Sequence, residues 1–180
     1  MDLAIFEVLD EQSIVCFTGK VNLLNSTDSK LLGSIIFIEG TIVNAHYDKF
    51  KPYKALMNLF VETSLNPLVK IIVEPELIQV TEKKLDYPMS VIKRKAIEYI
   101  GMYEESVDLR PSDTIQLMVK PEFISKGVEV SSREYSLLCT MSDYNLVKDI
   151  YSNNDMLDYE ITNALITLRK KDAIKVVKTK

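Results

Sequence analysis

The stretch from Leu31 to Val61 constrains the fold of this 180-residue chain more than any other part. Residues 32–38 form a largely apolar, β-branched run, and a second such run follows at residues 41–46. Between them lies Glu39-Gly40, and glycine adopts a positive φ at little cost. Two strand-like runs across a two-residue break that contains glycine predict a β-hairpin. The hairpin would present an apolar face that another element has to cover.

An amphipathic helix is predicted next, from Pro52 to about Ser64, because proline suits the first turn of a helix. On a helical wheel one face is apolar and comprises Tyr53, Leu56, Leu59 and Phe60. The opposite face is polar and comprises Lys54, Asn58 and Glu62. Met57 and Val61 fall at the border of the apolar face. They are interpreted either as the rim of the core or as half of a protein-binding groove, since methionine adapts to many contacts.

The segments on either side of this unit extend it into a β-β-β-α-β block. Residues 2–11 are compatible with a short helix or with an edge strand. Residues 13–17 and 21–24 are predicted as strands because β-branched and apolar residues predominate there. Asn66-Pro67 ends the helix, since a residue before proline avoids the α region. Residues 68–73 are predicted as the last strand of the block.

Three regions are predicted along the chain: the first block over residues 1–80, a connecting helix and strand region over residues 81–130, and a C-terminal module over residues 131–180. In the connecting region, Met89–Glu105 shows helical periodicity and residues 114–119 are strand-like. The three regions together predict an α+β protein. An antiparallel β-hairpin sheet is covered by a helix and is followed by a winged-helix-like three-helix module.

The C-terminal module is predicted to contain three helices and a terminal strand, the order found in a winged helix. Ser131 or Ser132 would cap the first helix, and Glu134 is placed to complete a capping box. The third helix would begin near Asp158, with Ile161, Ala164, Leu165 and Leu168 facing the core.

The outward face of that third helix is the first candidate interaction surface. It is predicted to present Tyr159, Asn163, Ile166 and Lys170. Aromatic and apolar groups on a surface favour a protein partner. In the alternative, a winged helix that binds DNA, Lys170, Lys171 and Lys175 would contact phosphates. Asp158 and Glu160 lie at the end of the helix that would meet DNA, where two carboxylates would repel phosphates.

The charge balance does not predict bulk attraction to nucleic acid. The chain has 22 basic and 26 acidic residues and a net charge of −4. Only four basic residues are arginines, and they are scattered along the sequence. Phosphate recognition commonly uses the bidentate arginine fork. Binding to nucleic acid is therefore the less favoured alternative.

The cysteines and the hydropathy pattern predict a cytoplasmic protein. Cys16 and Cys139 lie far apart, each within an apolar run, and are interpreted as buried, reduced thiols, with a disulfide or a reactive thiol as the alternative. The N-terminus has no basic leader before a long apolar stretch. No segment approaches the ~18 consecutive apolar residues of a membrane span, so no membrane insertion is expected.

The sequence contains no recognisable catalytic, cofactor or metal motif, and we expect a protein that is not an enzyme. His46 is the single histidine and has only Asp48 nearby on the same strand face. Gly19-Lys20 lacks the upstream glycine of a phosphate-binding loop. The acidic residues between Asp143 and Glu160 do not follow the spacing of a calcium loop. Neither a cofactor nor a bound metal is predicted.

A set of short motifs follows one another in the first block in this order: Thr18-Gly19, Ile36-Phe37-Ile38-Glu39-Gly40, Ile42, Ala45 and Ala55-Leu56. Their order and spacing resemble those of the PatA N-terminal domain family (PATAN, DUF4388). The resemblance implies a non-catalytic adaptor or regulator in bacterial signalling or motility that acts by protein-protein interaction. Members often have a winged-helix tail, and the resemblance therefore implies that the C-terminal module belongs to the same kind of protein. The expected partner is a protein not identified by the sequence, and a homodimer is an open alternative because an exposed strand edge can self-pair.

Overall fold

The computed structural model describes residues 3–79, 81 and 84–177, and it shows an α+β protein. The chain forms two compact units, Met1–Gly101 (unit 1) and Met102–Lys180 (unit 2). The division falls inside one helix, so the region predicted as a connector contributes to both units. Residues 81–101 group with the first block, and residues 102–130 group with the C-terminal module.

Unit 1 is built on a four-stranded antiparallel sheet with the strand order β3-β2-β1-β4. Its elements are α1 (Ala4–Ile14), β1 (Gly19–Asn25), β2 (Leu31–Ile38), β3 (Thr41–Tyr47), α2 (Pro52–Leu65), β4 (Val69–Pro75) and the larger part of α3 (Met89–Ser106). The predicted hairpin is confirmed as β2-β3. Glu39 and Gly40 both have positive φ, 48° and 76°, as a two-residue turn of this kind requires.

Helix α2 packs closely on the sheet at a position where β2 has no side chain. A Cβ atom at Gly33 would lie 2.3 Å from the carbonyl oxygen of His46 and 2.8 Å from Cδ2 of Leu59. Leu59 belongs to α2 and is fully buried. Gly33 therefore sets how closely the helix approaches the sheet, which explains a glycine inside a buried strand.

The polar face predicted for α2 is wrong, because Lys54 and Asn58 are buried, with exposed fractions of 1% and 7%. Other elements contact α2 away from the sheet. The hydroxyl of Tyr99 in α3 donates to Oδ1 of Asn58 at 2.9 Å. The Nζ atom of Lys54 lies 4.6 Å from the ring centroid of Phe50. The helix is thus a central layer of unit 1.

Met57 and Val61 belong to the same buried layer, with exposed fractions of 0% and 6%. Their interpretation as half of a protein-binding groove is wrong for this structure, and the alternative, a position in the core, is the one observed. The physical reason is that α2 is also packed against other helices on the side that faces away from the sheet. Phe6 of α1 contacts Phe60 with ring centroids 5.4 Å apart.

The strand predicted at residues 13–17 is wrong. Helix α1 runs on to Ile14, and the chain then turns at Cys16, which has a φ of 53°. Burial of Ile5 and Leu9 on one side of α1 favours the helix over the local β-propensity of the apolar residues that follow. Gly40 lies close to this turn, since a Cβ there would be 2.5 Å from the carbonyl oxygen of Ser13.

Unit 2 contains the three predicted helices and the predicted terminal strand. Its elements are a 3₁₀ helix (Val107–Leu109), β5 (Gln116–Val119), α4 (Pro121–Ser125), α5 (Ser132–Asp143), α6 (Val147–Asn153), α7 (Asp158–Lys170) and β6 (Ile174–Val177). Strands β5 and β6 pair in an antiparallel two-stranded sheet, and Gln116 also bridges to Leu146. The predicted capping box of Ser131 and Glu134 is present at the start of α5.

None of the helices in the described part of the chain combines the length and the apolar character needed to cross a bilayer.

Candidate functional site

The outward face of α7 is accessible, as predicted. Asn163 and Lys170 are exposed, and Tyr159 and Ile166 are half-buried. The opposite side of the helix packs into the core of unit 2 and comprises Ile161, Ala164, Leu165 and Leu168. The helical periodicity therefore identified correctly which side of α7 faces outward.

Ile166 also lines a cavity that the sequence did not reveal, which we call the α7–β6 groove. The cavity has a volume of about 260 Å³, and its walls are α7, β6 and the segment from Leu109 to Leu117. Leu109 and Val176 on its walls are 58% and 56% exposed, so the cavity opens to the surface through apolar side chains. Its charged lining residues, among those described, are Arg169 and Lys175. The α7–β6 groove is thus lined mainly by apolar side chains, and its charged lining residues are cationic.

The carboxylates at the N-terminus of α7 are each paired with an arginine. Oδ2 of Asp158 accepts from Nη1 of Arg110 at 3.2 Å, and Oε1 of Glu160 lies 2.7 Å from Nη2 of Arg133. Arg110 lies over the ring of Tyr151 at 4.0 Å, and burial raises the pKa of that phenol to about 12. These pairings offset the negative charge that was expected to repel phosphates.

Lys171, one of the three lysines predicted for DNA contact, is engaged inside unit 2. Its Nζ atom donates to Oε2 of Glu134 at 2.8 Å and to the carbonyl oxygen of Glu129 at 3.0 Å. Although burial alone would raise the pKa of Glu134, hydrogen bonds from Lys171 and Ser131 lower it to about 2. Lys171 joins the end of α7 to the start of α5 and is not available for phosphates in this arrangement.

A second cavity of about 500 Å³ lies beside β6 and is rich in lysine. Its charged lining residues are Lys120, Lys126, Lys171, Lys175, Glu122 and Asp172. Two of the lysines contact acids directly, because Lys120 pairs with Asp172 and Lys171 pairs with Glu134. The surface around β6 therefore has excess positive charge, of which part is compensated locally.

The single histidine, His46, lies on the surface of unit 1. His46 is exposed near the end of β3 and is paired in register with Ser34 of β2. In residues 3–79, 81 and 84–177, no three His, Cys, Asp or Glu side chains come together in a group suited to hold a metal ion.

Both cysteines are free and exposed, so their interpretation as buried thiols is wrong. Cys16 lies just after the end of α1 and has a positive φ of 53°, and Cys139 lies on α5. On α5 the buried positions are Glu134, Leu137 and Met141, so the helical repeat turns Cys139 toward the surface. The apolar neighbours in sequence gave the wrong indication because they belong to the other side of the helix.

The chain matches no family model, no curated protein and no solved structure in comparisons with each of these. The resemblance to the PatA N-terminal family accordingly stays a prediction from the residues.

Proposed function

We propose that this chain is a non-catalytic adaptor or regulator that binds a partner protein through unit 2. The observation that supports the proposal is the position of Ile166. This residue lies on the accessible face of α7 and also on the wall of the α7–β6 groove. The residues that contribute most to a protein interface cluster in pockets that a partner fills and closes off from water.

The size and charge of the groove define the partner segment that fits it best. A volume of about 260 Å³ is below the range of cofactor and substrate pockets, which is roughly 300–1,000 Å³, and suits one or two side chains. Arg169 and Lys175 favour acidic residues next to the apolar side chain that enters. The binding face would extend along α7 to Tyr159, Asn163 and Lys170.

The resemblance of the first block to the PatA N-terminal family supports a place for the protein in bacterial signalling or motility. Under this proposal the protein works in the cytoplasm, and the chemistry of the pathway is done by its partner. Of the residues that carry the resemblance, Gly19 begins β1, Thr18 directly precedes it, and Glu39 and Gly40 form the β2-β3 turn.

Replacement of Ile166 by Asp is expected to weaken partner binding strongly while leaving the fold intact. A carboxylate in the groove would face apolar walls, and partner affinity should fall by roughly 100-fold, the scale of a lost interface hot spot. Proteins captured from native cells by the wild-type chain would be identified by mass spectrometry, and the binding of each purified partner would then be measured by calorimetry.

Ile124→Asp is the matched control, because Ile124 is an exposed isoleucine of unit 2 that does not line the groove. This variant should bind the partner as the wild type does. Equal binding by the Ile166→Asp variant would contradict the proposal. Unfolding of Ile166→Asp, detected by circular dichroism, would instead show that Ile166 is a core residue, and the outward face of α7 would be wrongly assigned.

Binding to DNA is the second candidate function, favoured by the paired carboxylates of α7 and by the exposed Lys170 and Lys175. Fluorescence anisotropy with a random duplex, across a series of salt concentrations, separates the two functions. A protein-binding adaptor should show no binding at physiological salt. A slope of log affinity against log salt of about −3 or steeper, reduced by about 1 in Lys175→Ala, would favour DNA.

A further inference from the structure

Within the described part of the chain, strand β4 has a neighbouring strand on one side only. It pairs with β1 along its whole length, from Val69 to Pro75, and stands last in the strand order of the described sheet. Four of its aliphatic residues, Val69, Ile71, Ile72 and Val73, are only half-buried. An open edge of this composition is a template for a further strand.

The opposite edge of the sheet, strand β3, accepts hydrogen bonds from a later segment of the chain. After β4 the chain reaches β3, where the backbone N–H groups of Lys84 and Leu85 donate to the carbonyl oxygen of Val43 at 2.7 and 2.8 Å. Unit 1 therefore covers part of its β3 edge with its own backbone. Among the described residues, no comparable hydrogen bonds run along the outer side of β4.

The sequence of β4 is complementary to itself in one antiparallel register. When two copies of the strand are paired about Ile72, Lys70 of each copy faces Glu74 of the other, and Ile71 faces Val73. Lys70, Ile72 and Glu74 share one face of the sheet because side chains alternate along a strand. The register centred on Ile72 therefore places opposite charges next to each other on one face of the sheet and aliphatic side chains next to each other on the other face.

The neighbouring registers lack this match. A two-fold axis between antiparallel strands of one continuous sheet must pass through a residue, because opposed side chains point to the same face. An axis at Ile71 would place Lys70 against Ile72, and an axis at Val73 would place Glu74 against Ile72. Both leave charged groups opposite an apolar side chain, so Ile72 is the favoured centre.

The carboxylate of Glu74 is already oriented at this edge. Nδ2 of Asn22 in β1 donates to its Oε2 at 2.5 Å, and Oδ1 of Asn22 accepts from the hydroxyl of Ser34 in β2. This polar row crosses three strands and fixes the side chain of Glu74 before any partner arrives. Lys70 is exposed on the same face of β4.

We propose that the β4 edge binds the β4 edge of a second copy of this chain, forming an antiparallel eight-stranded sheet with its two-fold axis at Ile72. The proposal does not depend on the α7–β6 groove. Such a dimer would also present two copies of the groove in unit 2, and two linked binding sites raise the avidity for a multivalent partner.

Charge reversal tests the register. Sedimentation equilibrium on the full chain should show a dimer for the wild type. Lys70→Glu and Glu74→Lys should each weaken dimerisation by roughly tenfold or more, because like charges then oppose each other twice. The double variant Lys70→Glu/Glu74→Lys should return to within about threefold of the wild type, since its pairs are restored in reversed order. Lys49→Glu, an exposed lysine of unit 1 outside β4, is the control and should dimerise normally.

Three sedimentation results would overturn the proposal: a monomeric wild type at ~100 μM, well above a micromolar affinity; single variants that dimerise like the wild type; or a double variant that dimerises no better than the single variants. Because Glu74→Lys also loses the contact with Asn22, thermal unfolding of each variant is measured in parallel. Hydrogen exchange supplies a second measurement, since the amides of β4 should exchange more slowly at high protein concentration than at low concentration. Exchange of these amides that does not change with concentration would equally overturn the proposal.

Discussion

Replacement of Glu134 by Ala is expected to lower the free energy of unfolding by about 2–4 kcal/mol, combining a lost helix cap with lost charge-assisted hydrogen bonds. The Glu134 side chain is 5% exposed and accepts from the backbone N–H of Ser131 at 2.7 Å. Its Oε2 also accepts from Nζ of Lys171 at 2.8 Å. One carboxylate therefore caps α5 and fixes the C-terminal end of α7.

Urea denaturation followed by circular dichroism measures this loss, and Glu122→Ala is the matched control. Glu122 also lies in the first turn of a helix, α4, but it is exposed. Its replacement should cost less than about 0.5 kcal/mol, as for most surface positions. Equal effects of the two substitutions would show that the contacts of Glu134 with Ser131 and Lys171 add nothing to stability.

The same carboxylate predicts how stability depends on pH. Hydrogen bonds hold its pKa at about 2 in the folded chain, against an ordinary value of 4.5. A lowered folded-state pKa means that the stabilisation is complete above about pH 4.5 and is lost as the pH falls toward 2. The difference in unfolding free energy between wild type and Glu134→Ala should therefore shrink by about 3 kcal/mol at most over this range. If the difference in unfolding free energy between the wild type and Glu134→Ala stayed constant from pH 6 to pH 2, this prediction would be contradicted.

Gly33→Ala is expected to destabilise the protein by about 2–3 kcal/mol, the effect of forcing extra volume into a packed core. The added methyl group would lie 2.3 Å from the carbonyl oxygen of His46, a backbone atom of the paired strand that cannot move alone. It would also press on Leu59, so α2 would have to shift away from the sheet. Chemical denaturation of the purified variant measures the effect.

Gly101→Ala is the control for the glycine substitution. Gly101 lies within α3, and a Cβ there would meet no atom within 4 Å. Alanine has the higher helix propensity, so this variant should be more stable than the wild type by about 0.5–1 kcal/mol. If Gly33→Ala were as stable as the wild type, the close approach of α2 to β2 would be refuted.

The parts of unit 1 that could be predicted from sequence are those fixed by neighbouring residues. The β2-β3 hairpin follows from two β-branched runs and the Glu39-Gly40 turn, and α2 follows from its own periodicity. The second buried side of α2 could not be predicted in this way. Lys54 and Asn58 are polar, and the hydrogen bond from Tyr99 to Asn58 joins residues 41 positions apart, which no local pattern in the sequence indicates.

In the candidate site, too, local features could be predicted from the sequence and features built from distant segments could not. The outward face of α7 was predictable, because a helix repeats every 3.6 residues whatever surrounds it. The α7–β6 groove was not, since its walls come from three separate segments of unit 2. The pairing of Asp158 with Arg110 spans 48 residues, so the sequence showed the carboxylate without the cation that neutralises it.

The surface position of the two thiols has a practical consequence for any study of self-association. Cys16 belongs to unit 1 and Cys139 to unit 2, and each is reachable from solvent. Air oxidation can therefore link chains covalently through either residue, and such adducts would have the mass of a true dimer. Sedimentation of a Cys16→Ser/Cys139→Ser chain, or of the native chain in a phosphine reductant, removes that artefact. The same two sites accept one fluorophore per unit, which makes the chain suitable for energy-transfer measurements without further cysteine engineering.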